Sequence, residues 1–179
     1  FLRARNKPLK PDISEEQFSD HVYPLILIAI HTGCRPEELL ELDWKNVDFT
    51  HKTLTVIGEG AKSGQTRHIP LSKKALEAFE RWQRSPGSKK RGLVFPGKKG
   101  EPMGRMPRAI THAIEKAKIE DFRPYDFRHT FASRLAMAGV DLNTIRELLG
   151  HEDISTTLIY AHLTHDHRKE AVSRVFDED

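Results

Sequence analysis

The sequence predicts a mainly α-helical domain that holds one small three-stranded antiparallel β-sheet. Apolar residues recur at helical spacing through most of the chain. The period shortens to runs rich in β-formers only between about Val47 and Ile69. The length of 179 residues, with 37% hydrophobic and 31% charged, sets one ordinary globular domain.

The elements follow in chain order. Residues 1–11, FLRARNKPLKP, are basic and carry two prolines, so they read as a linker or the edge of a missing domain. Residues 12–179 then form the domain. Ser14 to Gln17 fits a capping box, and Phe18, Val22, Leu25, Ile26 and Ala29 follow as a helical core face. Pro36 suits the first turn of a short second helix running to about Leu42. Val47–Phe49, Leu54–Ile57 and Thr66–Ile69 are the three strands, with Gly58, Gly60 and Gly64 between the last two. From Ser72 helices return, with Leu76, Phe79 and Trp82 on one face, then a basic Gly/Pro-rich loop, then a helix near Arg105 to Lys118. A helix from about Asp126 to Ala138 points Phe127, Phe131 and Leu135 inward and closes at Gly139; that orientation turns Arg128 toward a different surface. Asp141 caps the next helix, which ends at Gly150. Ile154–His162 and a C-terminal tail at about 164–179, helical from His165 to Phe176, complete the set.

Composition excludes several classes. The longest apolar run, Leu25 to Ile30, is six residues, against the ~20 needed to cross a bilayer. The single cysteine, Cys34, excludes an internal disulfide and a Cys-rich zinc site, and fits a reducing, cytoplasmic location. Net charge is only +3, but Arg84, Lys89, Lys90, Arg91, Lys98, Lys99, Arg105 and Arg108 surround a single acid, Glu101, giving that stretch +7. A basic loop on a near-neutral body suits an anionic partner, nucleic acid by default; the alternative is a loop kept soluble by its lysines.

Five segments combine reactive residue types with structure that presents them. In TGCRPEEL, Arg35 and Glu38 are i, i+3 neighbours, so the acid can orient the guanidinium; taken alone they read as a surface ion pair. Lys62 lies in GEGAKSGQT between two strands, a sequence without the Gly-Lys-Ser/Thr ending of a phosphate loop. Tyr125-Asp-Phe-Arg128-His129 opens a helix, and Leu-Leu-Gly-His151 ends one at a glycine turn. Tyr160 follows inside STTLIYAHL, where a tyrosine by itself is ordinarily a core residue. His162, His165 and His167 invite a metal reading, but no HExxH pattern accompanies them.

Taken together, TGCRPEEL, AKSGQTRHIPL, DFRHTFAS, LLGH and ISTTLIY resemble the catalytic domain of the tyrosine recombinases, the bacteriophage-integrase type, over about Asp12 to Tyr160 and in family order. The resemblance implies that the fold is a tyrosine recombinase catalytic domain and that the activity is site-specific cutting and rejoining of double-stranded DNA through a 3′-phosphotyrosyl link. It implies that Arg35 and Arg128 clamp the phosphate, His151 donates to it, Tyr160 attacks, Lys62 protonates the leaving oxygen and Glu38 supports Arg35. Tyr125 stands where the family usually has histidine, and a phenol with a pKa of ~10 is a poor proton carrier near neutrality. Neither metal, ATP nor a small-molecule cofactor is implied, and no membrane. Lys89, Lys90, Arg91, Lys98, Lys99 and Arg105 are the expected DNA-contacting residues. The linker would lead from an N-terminal DNA-binding domain. The implied partners include further copies of the chain, in a four-protomer synapse on DNA with the tail docking in trans.

Three other readings share parts of the pattern. A type IB topoisomerase-like relaxase uses the same chemistry but rejoins the original ends. A DNA-binding regulator would keep the fold without catalysis, with Tyr125 as its support. A metal nuclease would draw on the histidine-rich tail.

Overall fold

The computed structural model describes residues 17–58 and 66–164. Its elements are α1 (Val22–Thr32), α2 (Pro36–Leu40), β1 (Val47–Asp48), β2 (Thr53–Val56), β3 (Arg67–Pro70), α3 (Lys73–Gln83), α4 (Arg108–Lys116), α5 (Asp126–Met137) and α6 (Leu142–Leu149). A 3-10 turn at Trp44–Asn46 precedes β1, and two more, Ile154–Thr156 and Leu158–Leu163, follow α6.

Helix α1 buries Val22, Leu25, Ile26, Ile28, Ala29 and Thr32, which leaves it little solvent face. A helix covered on so many sides belongs at the centre of a core, and α3 and α5 both pack on it. It begins at Val22, later than the Ser14 capping box predicts. Gln17 is not helical, and its Nε2 donates to the Arg84 carbonyl at 2.9 Å; Ser14 to Glu16 lie outside the described residues. Pro24 falls in the first turn, where a backbone N–H has no helical acceptor to lose.

The sheet has the predicted strands in the order β1-β2-β3, all antiparallel. Leu54 pairs with Ile69 and Val56 with Arg67. Strand alternation puts Leu54, Val56, Arg67 and Ile69 on the buried side. One of those four inward residues is charged.

Helices return after Ser72 as expected, and Ser72 caps α3, its Oγ accepting from the Ala75 N–H at 3.3 Å. The basic loop beyond α3 is pinned at its middle, where Val94 and Phe95 are fully buried. Phe95 stacks on Trp82 with ring centroids 5.8 Å apart, and the Trp82 indole donates to the Val94 carbonyl at 2.7 Å. Helix α4 starts at Arg108 rather than Arg105, because Pro107 disfavours helical backbone at Met106.

A smaller core joins α5, α6 and the last turn through Ala132, Ala136, Ile145, Leu149 and Tyr160. Asp141 caps α6 by accepting from the Thr144 N–H at 2.9 Å, and Gly150 ends it at φ +66°. The single helix predicted over Ile154–His162 is two 3-10 turns instead. Thr156 Oγ1 donates to the Asp153 carbonyl and Asp153 accepts from the Ser155 N–H, so side chains here take up backbone groups that a helix would use.

Candidate active site

Pro36 shapes the first part of the site. A residue before proline is driven to extended backbone, and Arg35 sits at φ −64°, ψ 151° as the N-cap of α2. Glu38, in the first turn, reaches back. Its Oε2 accepts the Arg35 backbone N–H at 2.6 Å and its Oε1 accepts Arg35 Nη1 at 2.9 Å. This is not the ordinary surface pair, since the Glu38 side chain is only 8% exposed. Arg67 completes it from β3, donating Nη1 to Oε1 at 2.9 Å and Nη2 to Oε2 at 2.6 Å.

The C-terminal end of α6 supplies the second part. The last carbonyls of a helix have no intrahelical donor and carry its negative dipole end. Three arginines from three other elements take three successive ones. Arg67 Nε donates to the Leu148 carbonyl at 3.0 Å, Arg128 Nη2 to Leu149 at 2.5 Å, and Arg35 Nη2 to Gly150 at 3.2 Å. Arg128 Nη1 also donates to the carbonyl of Gly33, the C-cap of α1, at 2.8 Å. Arg128 is therefore buried between two helix ends, at 1% exposure, and does not turn toward a separate surface as the Phe127/Phe131 face predicts. The sequence pattern misplaces it because carbonyl acceptors at distant helix ends leave no local signal.

Gly33 and Gly150 make this packing possible. A Cβ on Gly33 would run into the Phe131 ring, and one on Gly150 would sit 2.9 Å from Arg67 Cδ. Both positions have left-handed φ, +63° and +66°, which glycine adopts without strain.

Three guanidiniums against one carboxylate leave the cluster with excess positive charge. Burial raises the Glu38 pKa, but the hydrogen bonds and charge of Arg67, followed by Arg35, outweigh it and hold the carboxyl at about 2. Burial lowers the Arg128 pKa, and Arg35 lowers it further, to about 10, so Arg128 is still charged at neutrality. Burial and then the charges of Arg128, Arg35 and Arg67 depress His151 to about 4, so its imidazole is neutral near pH 7. The arrangement is a cationic cluster with a chemistry suited to an anion with several oxygens.

His151 follows Gly150 out of α6, and its Nδ1 lies 2.8 Å from Oγ1 of Thr157, which is fully buried. Tyr160 is 4% exposed, and its hydroxyl lies 2.6 Å from His129 Nδ1. Burial raises the Tyr160 pKa, with Arg128 pulling the other way. Tyr125, the N-cap of α5, is 41% exposed and meets the His129 ring edge-on. It also lines a cavity of about 530 Å³ with Arg105 and Arg123.

Arg35, Glu38, Arg128 and His151 thus gather around the end of α6, with Tyr160 and Tyr125 beside them through His129. Lys62 and most of the C-terminal tail, His165 and His167 included, lie outside the described residues. Lys89, Lys90, Arg91, Lys98, Lys99 and Arg105 are exposed. Sequence reasoning passed over Arg67, His129 and Thr157. A signal for Arg67 was present: it shares the inward strand face with Ile69, and a charge on such a face needs a buried partner. His129 and Thr157 carry only weak signals, adjacency to Arg128 and a position three residues before Tyr160.

The cluster sits on a helical domain with one three-stranded sheet, and similarity to known proteins places that fold in a known class. The chain belongs to the phage integrase family, whose profile matches residues 11–167. It is 33% identical over 156 residues to "Tyrosine recombinase XerC" of Xanthomonas axonopodis pv. citri (strain 306), covering 86% of this chain and 49% of that protein. The XerH site-specific recombinase bound to difH substrate superimposes with a TM-score of 0.71 at 25% identity, over 99% of this chain and 51% of that one. The Tn1549 transposon integrase in complex with circular intermediate DNA gives a TM-score of 0.67 at 27% identity, over 86% and 59%. The chain spans about half the length of the curated relatives it matches. Among the described residues no helix is long and apolar enough to cross a membrane.

Proposed function

We propose that this chain is the catalytic part of a site-specific recombinase that cuts and rejoins double-stranded DNA through a 3′-phosphotyrosyl intermediate. One observation carries the reading: Arg35 and Arg128 each place one Nη on a main-chain carbonyl at the end of α6, beside Tyr160 and a neutral His151. A scissile phosphate brings the negative charge that this cluster lacks. Arg35 and Arg128 hold its nonbridging oxygens, and each donor aimed at developing charge is typically worth ~10²–10³ in rate. In the tautomer whose Nδ1 accepts from Thr157 Oγ1, His151 has Nε2–H to donate to the phosphate. Tyr160 attacks phosphorus and the 5′-oxygen leaves.

Lys62, between β2 and β3 in the chain, protonates that oxygen. Rejoining reverses the steps, so phosphoester bond energy is retained and ATP is not consumed. The guanidiniums supply the charge stabilisation the reaction needs. The family likeness supports DNA as the partner, with the six basic residues of the α3–α4 loop tracking its backbone, and a cytoplasmic place of action. Four protomers would act on paired sites, the tail of one docking on the next.

The test is covalent trapping on a labelled nicked half-site. The wild-type chain forms an adduct that maps to Tyr160 by mass spectrometry, and Tyr160→Phe binds DNA with nearly unchanged affinity but forms none. A chain that binds and never forms an adduct is a regulator rather than an enzyme. Lys62→Ala recovers on a substrate whose 5′-bridging oxygen is sulfur, because a thiolate leaves without a proton.

A further inference from the structure

The closest polar neighbour of the Tyr160 hydroxyl among the described hydrogen bonds is not an arginine. It is His129 Nδ1, at 2.6 Å, with the two rings tilted at a centroid distance of 5.9 Å. His129 sits one residue after Arg128 on α5, one helical turn beyond Tyr125, whose ring packs against it edge-on at 5.3 Å. It is half-buried, so the imidazole is held in place yet reachable.

The phenolic proton of Tyr160 needs an acceptor of its own in the cleavage step. Arg35 and Arg128 have no acceptor. His151 is engaged with Thr157, and Lys62 acts at the departing oxygen. Tyr125 is itself a phenol that carries its own proton and packs on the His129 ring. A buried phenol keeps its proton, as the upward shift of Tyr160 reflects, and it must lose that proton as its oxygen bonds to phosphorus. Among the described residues, His129 meets that need at hydrogen-bond range, in the tautomer that leaves Nδ1 without a proton.

We propose that His129 is the general base for Tyr160 in the cleavage step. This rests on the recombinase reading. As the Tyr160 oxygen bonds to phosphorus, its proton passes to His129 Nδ1. The bond from phosphorus to the 5′-oxygen breaks, and that oxygen takes a proton from Lys62. One phosphoester bond forms and one breaks. In rejoining, the 5′-hydroxyl attacks the phosphotyrosyl phosphorus and the protonated His129 returns its proton to the departing Tyr160 oxygen. No oxidant or further reactant is required.

The experiment measures single-turnover adduct formation by the full 179-residue chain on the nicked half-site. His129→Asn places an amide near the Nδ1 position, which accepts a hydrogen bond but not a proton. Adduct formation slows by about 10²–10⁴, the range of general acid–base catalysis, with DNA affinity unchanged. His129→Ala slows likewise and regains rate when imidazole is added to the medium. If Asn supports cleavage within about threefold of wild type, His129 only positions the nucleophile and the proposal is overturned. If the Ala variant fails to fold, the Asn variant decides alone. A wild-type chain that forms no adduct overturns the recombinase reading and this one with it; a wild-type adduct with an undiminished Asn variant overturns only the role of His129.

Discussion

Arg67 holds Glu38 by both carboxylate oxygens, and the same carboxylate holds Arg35, so one acid on α2 sits between two guanidiniums from different elements. Arg67 also donates to the Leu148 carbonyl at the end of α6. It therefore ties together the turn that presents Arg35, the strand that follows the Lys62 hairpin and the helix end that presents His151. Its own charge lies away from solvent, at 7% exposure. We assign it a positioning role.

Removing one partner of a buried ion pair strands the other charge and typically costs about 3–5 kcal/mol. Arg67→Ala and Glu38→Ala are each expected to lose stability in that range, measured by urea unfolding. The double variant should lose at least ~1 kcal/mol less than the two single losses together, because contacting partners do not add. Additive losses would show that the pair is not coupled.

Gly150→Ala should destabilise by more than the ~1 kcal/mol of left-handed backbone strain alone, because its Cβ also crowds Arg67 Nη1 at 3.0 Å. Gly150→Asn separates the two causes. Asparagine tolerates left-handed φ but carries the same Cβ, so a large recovery with Asn in thermal denaturation would mean that crowding of Arg67 is unimportant.

Stability should fall on acidification in two stages. His151 is depressed from 6.5 to about 4 in the fold, so its contribution is present above pH 6.5 and is lost as pH falls toward 4. Glu38 is depressed from 4.5 to about 2, so its contribution is present above pH 4.5 and is lost as pH falls through about 2. Both have the same sign. His151→Asn should shrink the loss of melting temperature between pH 6.5 and 4 and should keep the loss below 4.5. The part left in the upper window comes from His31, whose pKa burial also lowers. An unchanged upper stage would remove His151 as its cause.

The exposed Lys89, Lys90 and Arg91 bear on DNA affinity rather than on the site. Replacing all three with alanine should reduce the log–log salt dependence of DNA binding by about 2–3, near 0.9 per lost phosphate contact. The fold is unaffected, since Val94 and Phe95 anchor that loop. An unchanged slope would mean that the loop faces away from DNA.

Local rules made much of this protein legible in its sequence. Ser72 and Asp141 cap their helices, Gly150 ends α6, and the period change marks all three strands, because each signal acts within about four residues. Where a local signal misled, other local forces acted: the Thr156 hydroxyl and Asp153 take up backbone groups where a helix was predicted over Ile154–His162 and 3-10 turns stand instead.

Sequence by itself determined the family motifs, their order, and Arg35, Glu38, Arg128, His151 and Tyr160 as the residues to watch. Only the tertiary structure decided what those residues touch. Arg35 reaches a carbonyl 115 residues away, Arg67 one 81 away and Arg128 one 95 away. The acceptors are backbone oxygens, which every residue possesses, so no residue type announces them. They become sites only when packing brings a helix end, with its unpaired carbonyls, against the buried guanidiniums of Arg67 and Arg128 and the partly buried one of Arg35. The same packing sets His129 against Tyr160, a pairing between elements 31 residues apart that neither periodicity nor spacing encodes.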